Sequence, residues 1–199
     1  KSLVQSVHKA EQMNRCPNCA RFLYYPEQLV ERERTSRVYG EARKTGIGRF
    51  TSPELMMVSL KGSTPEEVLG EMCAHMAEEG FVEDDKHLLD LALQREAIVS
   101  TAVDNGLAFP HVRGVEGGGL SIVVGIHRKG VKFGGPGRTL SRIFFFAVIP
   151  TATSAFYLKL LSGLSRTFRE KEPREALLAA KTEDDLWKAL IKATKKMIK

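Results

Sequence analysis

Long hydrophobic runs are missing from this 199-residue chain, which predicts that it contains no membrane-spanning helix. A helix needs about 20 consecutive apolar residues to cross a bilayer, whereas the longest apolar stretch here, Ile143–Pro150, has the length of a strand. No secretory signal pattern stands at the start, and the first residue is lysine. We therefore expect a piece of a longer cytoplasmic protein, or the cytoplasmic part of a membrane protein.

Cysteine is also scarce, and an odd total of three does not suit a disulfide framework. This favours a reducing compartment. Cys16 and Cys19 have the spacing of a zinc knuckle, but a structural zinc site needs four ligands. Only His8 and the distant Cys73 could supply the other two. We predict no metal site, while a redox pair, or a ligand set completed by another chain, stays open for the two cysteines.

The positive charge is confined to one end of the chain. Residues 1–50 carry a balance of +5 out of the total of +6, which leaves residues 51–199 nearly neutral. The arginines of residues 32–49 are not interleaved with the aromatic platform that single-strand binders use, so we expect no nucleic-acid binding. We interpret residues 1–50 as a basic N-terminal extension and linker, and residues 51–199 as the main domain.

Capping patterns predict where the helices begin. Thr64 followed three residues later by Glu67 predicts a capped start with a reciprocal capping box. A second helix is predicted to begin at Asp84 or Asp85 and to end near Arg95–Ile98. The Arg95 side chain would then extend from a helix terminus and not from an irregular loop.

Runs rich in β-branched and aromatic residues predict the strands. Leu120–His127 and Ile143–Ile149 are expected in the centre of a sheet, and Glu54–Leu60 is expected to open it. A helix over Thr153–Phe168 is predicted to turn four leucines toward the core, namely Leu158, Leu160, Leu161 and Leu164. Because helices and strands are mixed along the chain, we predict an α/β fold with a mixed β-sheet sandwiched by helices.

The segment from Gly106 to His111 places a histidine directly after a proline. Proline fixes its own φ and glycine permits unusual backbone angles, so the approach to the imidazole is stiff. A neutral imidazole is nucleophilic near pH 7 when one ring nitrogen is free and the other is held. Arg95, sixteen positions upstream, carries a planar guanidinium that suits phosphate oxygens. From these residues alone, a phosphoryl acceptor and an inert, hydrogen-bonded histidine both stay open.

The wider segment carries a family resemblance. Arg95–Thr101, followed by Asp104–His111, resembles the characteristic motif of type 2 enzyme IIA domains. These domains belong to the bacterial phosphoenolpyruvate-dependent sugar phosphotransferase system, in its fructose, mannitol and nitrogen-regulatory branches. The resemblance continues to the C-terminal helices and covers residues 52–199.

The resemblance implies a function and a set of site residues. His111 would receive a phosphoryl group from a small histidine phosphocarrier protein and pass it to an enzyme IIB. Arg95, the Thr101 hydroxyl and backbone donors near Gly106–His111 would meet the charge on the phosphoryl oxygens. Apart from the resemblance, the position of Arg113 two residues past His111 leaves it either within reach of the anion or a solvated loop arginine. No cofactor is implied, which agrees with the lack of a nucleotide-binding glycine loop with lysine.

Tyr157 marks a departure from the family pattern. Sugar-transporting members usually carry a second histidine at the matching position. A tyrosine hydroxyl can donate one hydrogen bond but supplies no cation at neutral pH, so Tyr157 either lines the pocket or packs as an ordinary helix residue. The alternative function is therefore a regulatory or sensor module, inactive in phosphotransfer, that is fused to a transporter or controls one.

Overall fold

A computed structural model describes residues 46–115, 119–134, 139–151, 154–195 and 197. Cys16 and Cys19 lie outside these ranges, as does most of the predicted N-terminal extension. Within the described residues, no helix has both the length and the apolar character needed to cross a membrane. No group of three or more His, Cys, Asp or Glu side chains is arranged there to hold a metal ion.

The described residues form one mixed sheet of six strands. The strands are β1 (Met56–Met57), β2 (Ala102–Val103), β3 (Leu107–Ala108), β4 (His111–Val115), β5 (Ser121–Val131) and β6 (Ser141–Pro150). β5 and β6 pair antiparallel in the centre, β1 runs parallel to β5, and β3 and β4 both run parallel to β6. β2 pairs antiparallel with β3 at the other edge.

Five helices accompany this sheet in the described part of the chain: α1 (Pro65–Glu78), α2 (Asp85–Ile98), α3 (Ser154–Arg169), α4 (Lys171–Ala179) and α5 (Glu183–Thr194). The Thr64 hydroxyl accepts from the Glu67 amide at 3.2 Å, as the capping pattern predicts. The Glu67 carboxylate accepts from the Ser63 amide instead of the Thr64 amide, one position earlier than a capping box requires. Asp84 caps α2 by accepting from the amide of His87.

The core confirms the predicted α/β architecture. β5 and β6 are buried along most of their length, which is typical of strands covered by helices on both faces of a sheet. One face of α1 is buried at helical spacing, and its members are Val68, Leu69, Met72, Cys73 and Met76.

α3 buries a different stripe from the one that we predicted. Tyr157, Leu160, Leu164 and Phe168 are buried, whereas Leu158 is 55 % exposed. The spacing of three, four and four residues follows one helix face, and Leu158 lies about 100° from it. The prediction for Leu158 was therefore wrong, and the residue that takes its place in the core is Tyr157.

The beginning of the domain also differs in detail. The predicted strand over residues 54–60 is reduced to the two residues of β1, because Pro53–Leu55 forms a 3-10 turn before it. Ile47 is buried in the core, and the Phe50 carbonyl accepts from an amide of β5 at 2.7 Å. The folded region thus includes a few residues before Thr51, while the division at residue 50 stays a prediction.

Candidate functional site

β3 and β4 follow one path along β6, and Pro110 interrupts this path just before His111. Leu107 and Ala108 pair with Ile143 and Phe144 of β6, and the pairing resumes at His111 opposite Ala147. Proline has no amide hydrogen and cannot complete the ladder, although the Pro110 carbonyl still accepts from the amide of Ala147. The imidazole therefore projects from a fixed position on an edge strand.

The imidazole of His111 is buried and has a partner at each ring nitrogen. Nδ1 lies 3.1 Å from the Phe109 carbonyl oxygen, and the Nε of Arg95 donates to Nε2 at 3.2 Å. A carbonyl only accepts and a guanidinium only donates, so the two partners select the tautomer with the hydrogen on Nδ1 and the lone pair on Nε2. The carbonyl contact matches what a histidine nucleophile needs, but the other nitrogen is covered by Arg95 and not free.

Arg95 lies in the last turn of α2 and is held at both ends of its guanidinium. Its Nη1 donates to the carbonyl of Val99 at 3.0 Å while its Nε contacts His111. An arginine at a helix C-terminus satisfies carbonyls that lack helical partners and suits the negative end of the helix dipole. The structure thus brings together the two residues that the sequence paired.

Several groups shift the protonation of His111. Burial lowers its pKa below the usual 6.5, the hydrogen bond to the Phe109 carbonyl raises it, and the charges of Arg95 and Arg113 lower it again. The net direction is downward, so the imidazole is neutral at pH 7. Its Nε2 then carries the lone pair that a nucleophile requires.

Tyr157 lies against the imidazole of His111, and Arg113 lies over the Tyr157 ring. The rings of Tyr157 and His111 lie 5.3 Å apart between centroids, tilted by 43°. The guanidinium carbon of Arg113 lies 6.0 Å from the centroid of the Tyr157 ring. Burial raises the pKa of the Tyr157 hydroxyl above its usual range, so this ring stays neutral. Tyr157 is thus both a core residue of α3 and a direct neighbour of His111.

Thr101 is bonded to Glu96, a residue that the sequence did not single out. The Thr101 hydroxyl donates to one carboxylate oxygen of Glu96 at 2.6 Å, and the Thr101 amide donates to the other at 2.8 Å. The Thr101 carbonyl in turn accepts from the amide of Phe109. Because Phe109 holds Nδ1 of His111, these bonds connect the end of α2 to the backbone that orients the imidazole. A carboxylate following the arginine was the only local signal of this link.

Gly106 has φ of +73°, and Asn105 before it has φ of +67°. A β-carbon added at Gly106 would lie 3.1 Å from the carbonyl oxygen of Leu140. Glycine is therefore required here both by its backbone angle and by the closeness of another backbone segment.

Replacing Gly106 by alanine is expected to destabilise the fold more than the same change at Gly114. Gly114 also has positive φ, of +77°, but a β-carbon there meets nothing within 4 Å. Gly114→Ala should cost about 1–2 kcal/mol for the left-handed backbone alone. Gly106→Ala should cost about 1–3 kcal/mol more because of the added contact. Urea unfolding of the two variants measures the difference, and equal losses would contradict a steric role for the Leu140 carbonyl.

Two cavities lie along α2. One, of about 250 Å³, lies between α2 and β4 and is lined by Leu91, Gln94, Arg95, Ile98, Val112 and Arg113. The other, of about 400 Å³, includes Glu96 and Lys132 and shares no lining residue with the first. The smaller cavity is the one next to the candidate site, because Arg95 and Arg113 border it, although His111 itself is not among its lining residues.

Two other histidines, His127 and His75, are bonded to the backbone and have structural roles. Nδ1 of His127 accepts from the amide of Gly130 at 2.8 Å, as expected of a structural histidine. His75 was expected to be solvated, but it is half-buried and its Nε2 lies 2.7 Å from the Glu54 carbonyl oxygen. Neither ring is paired with an arginine by a hydrogen bond of the kind seen at His111.

The fold is that of the type 2 enzyme IIA domains. The crystal structure of nitrogen regulatory protein IIA-Ntr from Neisseria meningitidis aligns with 72 % of this chain and 98 % of its own, with a TM-score of 0.67 and 20 % identity. The complex of enzyme IIA and phosphorylated enzyme IIB for mannitol from Escherichia coli aligns with 70 % of this chain and 95 % of its own, at 18 % identity and a TM-score of 0.57.

The chain belongs to the family described as "Phosphoenolpyruvate-dependent sugar phosphotransferase system, EIIA 2", whose model matches residues 49–193. The fructose-specific EIIA component of the phosphotransferase system of Haloferax volcanii is 26 % identical over 139 residues, which cover 70 % of this chain and 90 % of that protein. The family inferred from the sequence motif is thereby confirmed.

Proposed function

We propose that this domain is a histidine phosphoryl carrier and that Nε2 of His111 is the atom that accepts the phosphoryl group. The donor would be a small histidine phosphocarrier protein. The observation that carries the proposal is the fixed tautomer of His111, whose Nδ1 is held by the Phe109 carbonyl while its Nε2 lone pair meets Arg95. A nucleophilic nitrogen beside a guanidinium is the pairing that phosphoryl capture needs.

In the proposed step, the Nε2 lone pair attacks the phosphorus of the donor phosphohistidine. The new bond between Nε2 and phosphorus forms as the bond in the donor breaks, and the leaving imidazole keeps the electron pair. The hydrogen stays on Nδ1 of His111 throughout and is donated to the Phe109 carbonyl. Arg95 must leave Nε2 for this to happen, and the phosphoryl oxygens are the new acceptors for its N–H groups.

The acceptor of the phosphoryl group is proposed to be an enzyme IIB, since the aligned Escherichia coli complex pairs an enzyme IIA with a phosphorylated enzyme IIB. A second candidate is a regulatory module that does not transfer phosphoryl groups. It is favoured by the 6 % exposure of His111 and by the covering of its Nε2. The aligned Neisseria meningitidis protein is itself described as a regulatory protein.

The 199-residue chain should become labelled when it is incubated with phosphoenolpyruvate, the first enzyme of the phosphotransferase system and the histidine phosphocarrier. A phosphohistidine label is lost in acid and kept in base, and phosphorus NMR distinguishes attachment at Nε2 from attachment at Nδ1. We expect attachment at Nε2. Omission of the phosphocarrier is the control. A wild-type chain that stays unlabelled would reject the carrier and leave the regulatory module.

A further inference from the structure

Two arginines on different elements of the fold exert an electrostatic effect on the imidazole of His111. Arg95 approaches from the C-terminal turn of α2, and Arg113 follows His111 by two residues on β4. Both charges lower the pKa of His111. Residues i and i+2 of a strand point to the same face, and β4 pairs regularly with β6 from His111 to Arg113. Arg113 therefore extends from the sheet on the same side as the imidazole.

Arg113 has a defined resting position on an aromatic ring. Its guanidinium carbon lies 6.0 Å from the centroid of Tyr157, at the limit of an attractive cation–π contact. The Tyr157 ring is 2 % exposed and lies against His111, so the surface on which Arg113 rests is fixed beside the imidazole. Arg113 itself is exposed. Arg113 thus lies over a ring that contacts His111, and it is open to an incoming anion.

The guanidinium fork of Arg95 alone does not engage all three oxygens of a phosphoryl group. A phosphoryl group presents three acceptor oxygens, and one guanidinium fork engages two of them. The Nε and Nη1 groups of Arg95 already bind His111 and Val99 in the resting state. Even when the guanidinium turns its fork to the phosphoryl group, it engages two of the three oxygens, so one oxygen is left for another donor.

We propose that Arg113, positioned by the ring of Tyr157, is a second phosphate-binding residue that contacts the phosphoryl group on His111. This inference rests on the proposed carrier function. The tyrosine contributes no charge, since its hydroxyl stays protonated. It acts as a positioning residue, and the second cation comes from β4.

The test measures the transfer rate from the phosphorylated phosphocarrier to the full chain, together with the half-life of the phosphorylated product. Arg113→Gln is expected to slow transfer about tenfold, the effect of losing one hydrogen bond to a charged group. Arg113→Lys keeps the charge but not the planar fork, and should recover part of the rate. Arg166→Gln is the matched control. It removes the same charge from an exposed position of α3, nine residues beyond Tyr157, and should transfer like wild type.

Variants of Tyr157 test the positioning role. Tyr157→Phe keeps the ring on which Arg113 rests, and Tyr157→Leu removes it. We expect Tyr157→Phe to retain more of the rate than Tyr157→Leu, and we expect Arg113→Gln to slow transfer less in the Tyr157→Leu background than in wild type. Thermal unfolding of each variant separates this coupling from a general loss of structure, which would slow transfer without reducing the effect of Arg113→Gln.

The outcomes separate this inference from the proposed function. Slow transfer in Arg113→Gln with normal transfer in Arg166→Gln supports it. A labelled wild type with equal rates in both variants overturns the role of Arg113 and leaves the carrier function standing. An unlabelled wild type overturns both.

Discussion

Replacing His111 by glutamine is expected to remove the acid-labile label completely. The amide has no nitrogen lone pair that can form a stable bond to phosphorus, whereas it can still donate to the Phe109 carbonyl and accept from Arg95, the two partners of His111. The fold should therefore persist while the chemistry is lost. Phosphorylation by the reconstituted donor system, followed by gel analysis under acidic and basic conditions, measures the effect.

His127→Gln is the matched control for that variant. His127 is as buried as His111 and also has a ring nitrogen bonded to the protein, through the amide of Gly130. Its replacement is expected to cost about 1–3 kcal/mol of unfolding free energy if the Gly130 amide is left unpaired, with the label retained. A label that survives in His111→Gln and disappears in His127→Gln would mean that the acceptor has been misassigned.

Replacing Arg95 by alanine is expected to lower the rate of phosphoryl transfer on the order of 100-fold, as is typical when one donor to a developing charge is removed. Arg95→Lys should fall between alanine and wild type, because an ammonium group keeps the charge and loses the fork. The pKa of His111 should rise in Arg95→Ala, since the positive charge of Arg95 lowers it. Titration of the imidazole by NMR follows this second effect without any transfer assay.

Lys86→Ala removes an exposed cation from the other end of α2 and serves as the control for Arg95→Ala. Arg95→Ala also loses the bond to the Val99 carbonyl, which should cost about 0.5–1.5 kcal/mol, so urea unfolding is measured in parallel. Because Arg95 covers Nε2 in the resting state, a faster transfer in Arg95→Ala is the informative contrary result. It would show that the guanidinium inhibits the nucleophile and does not assist the phosphoryl group.

Local patterns in the sequence were sufficient to predict most of the helices and strands. The helix starts at Thr64 and Asp84 were predictable because a cap is formed by residues three or four positions apart. The two central strands were predictable because strands covered on both faces are almost continuously apolar. Leu158 was assigned to the core wrongly, since a run rich in leucine does not by itself fix the rotation of a helix about its axis.

The candidate site was predictable in its members but not in its contacts. The order of Arg95 and His111 along the chain, and the proline between Phe109 and His111, pointed to a phosphoryl site through a family motif. The link from Glu96 through Thr101 was missed because the two residues lie five positions apart across the end of α2, and no local pattern predicts that they bond. Only their three-dimensional proximity shows that both carboxylate oxygens of Glu96 are bonded to Thr101.

Residue types and short spacings were sufficient to identify the family, the α/β class and His111 as the candidate histidine. The tautomer of His111, the covering of Nε2 by Arg95 and the position of Arg113 over Tyr157 became visible only in the folded domain. These features join groups from α2, β4 and α3. Their geometry is set by how the helices pack on the sheet, and no local spacing records that packing.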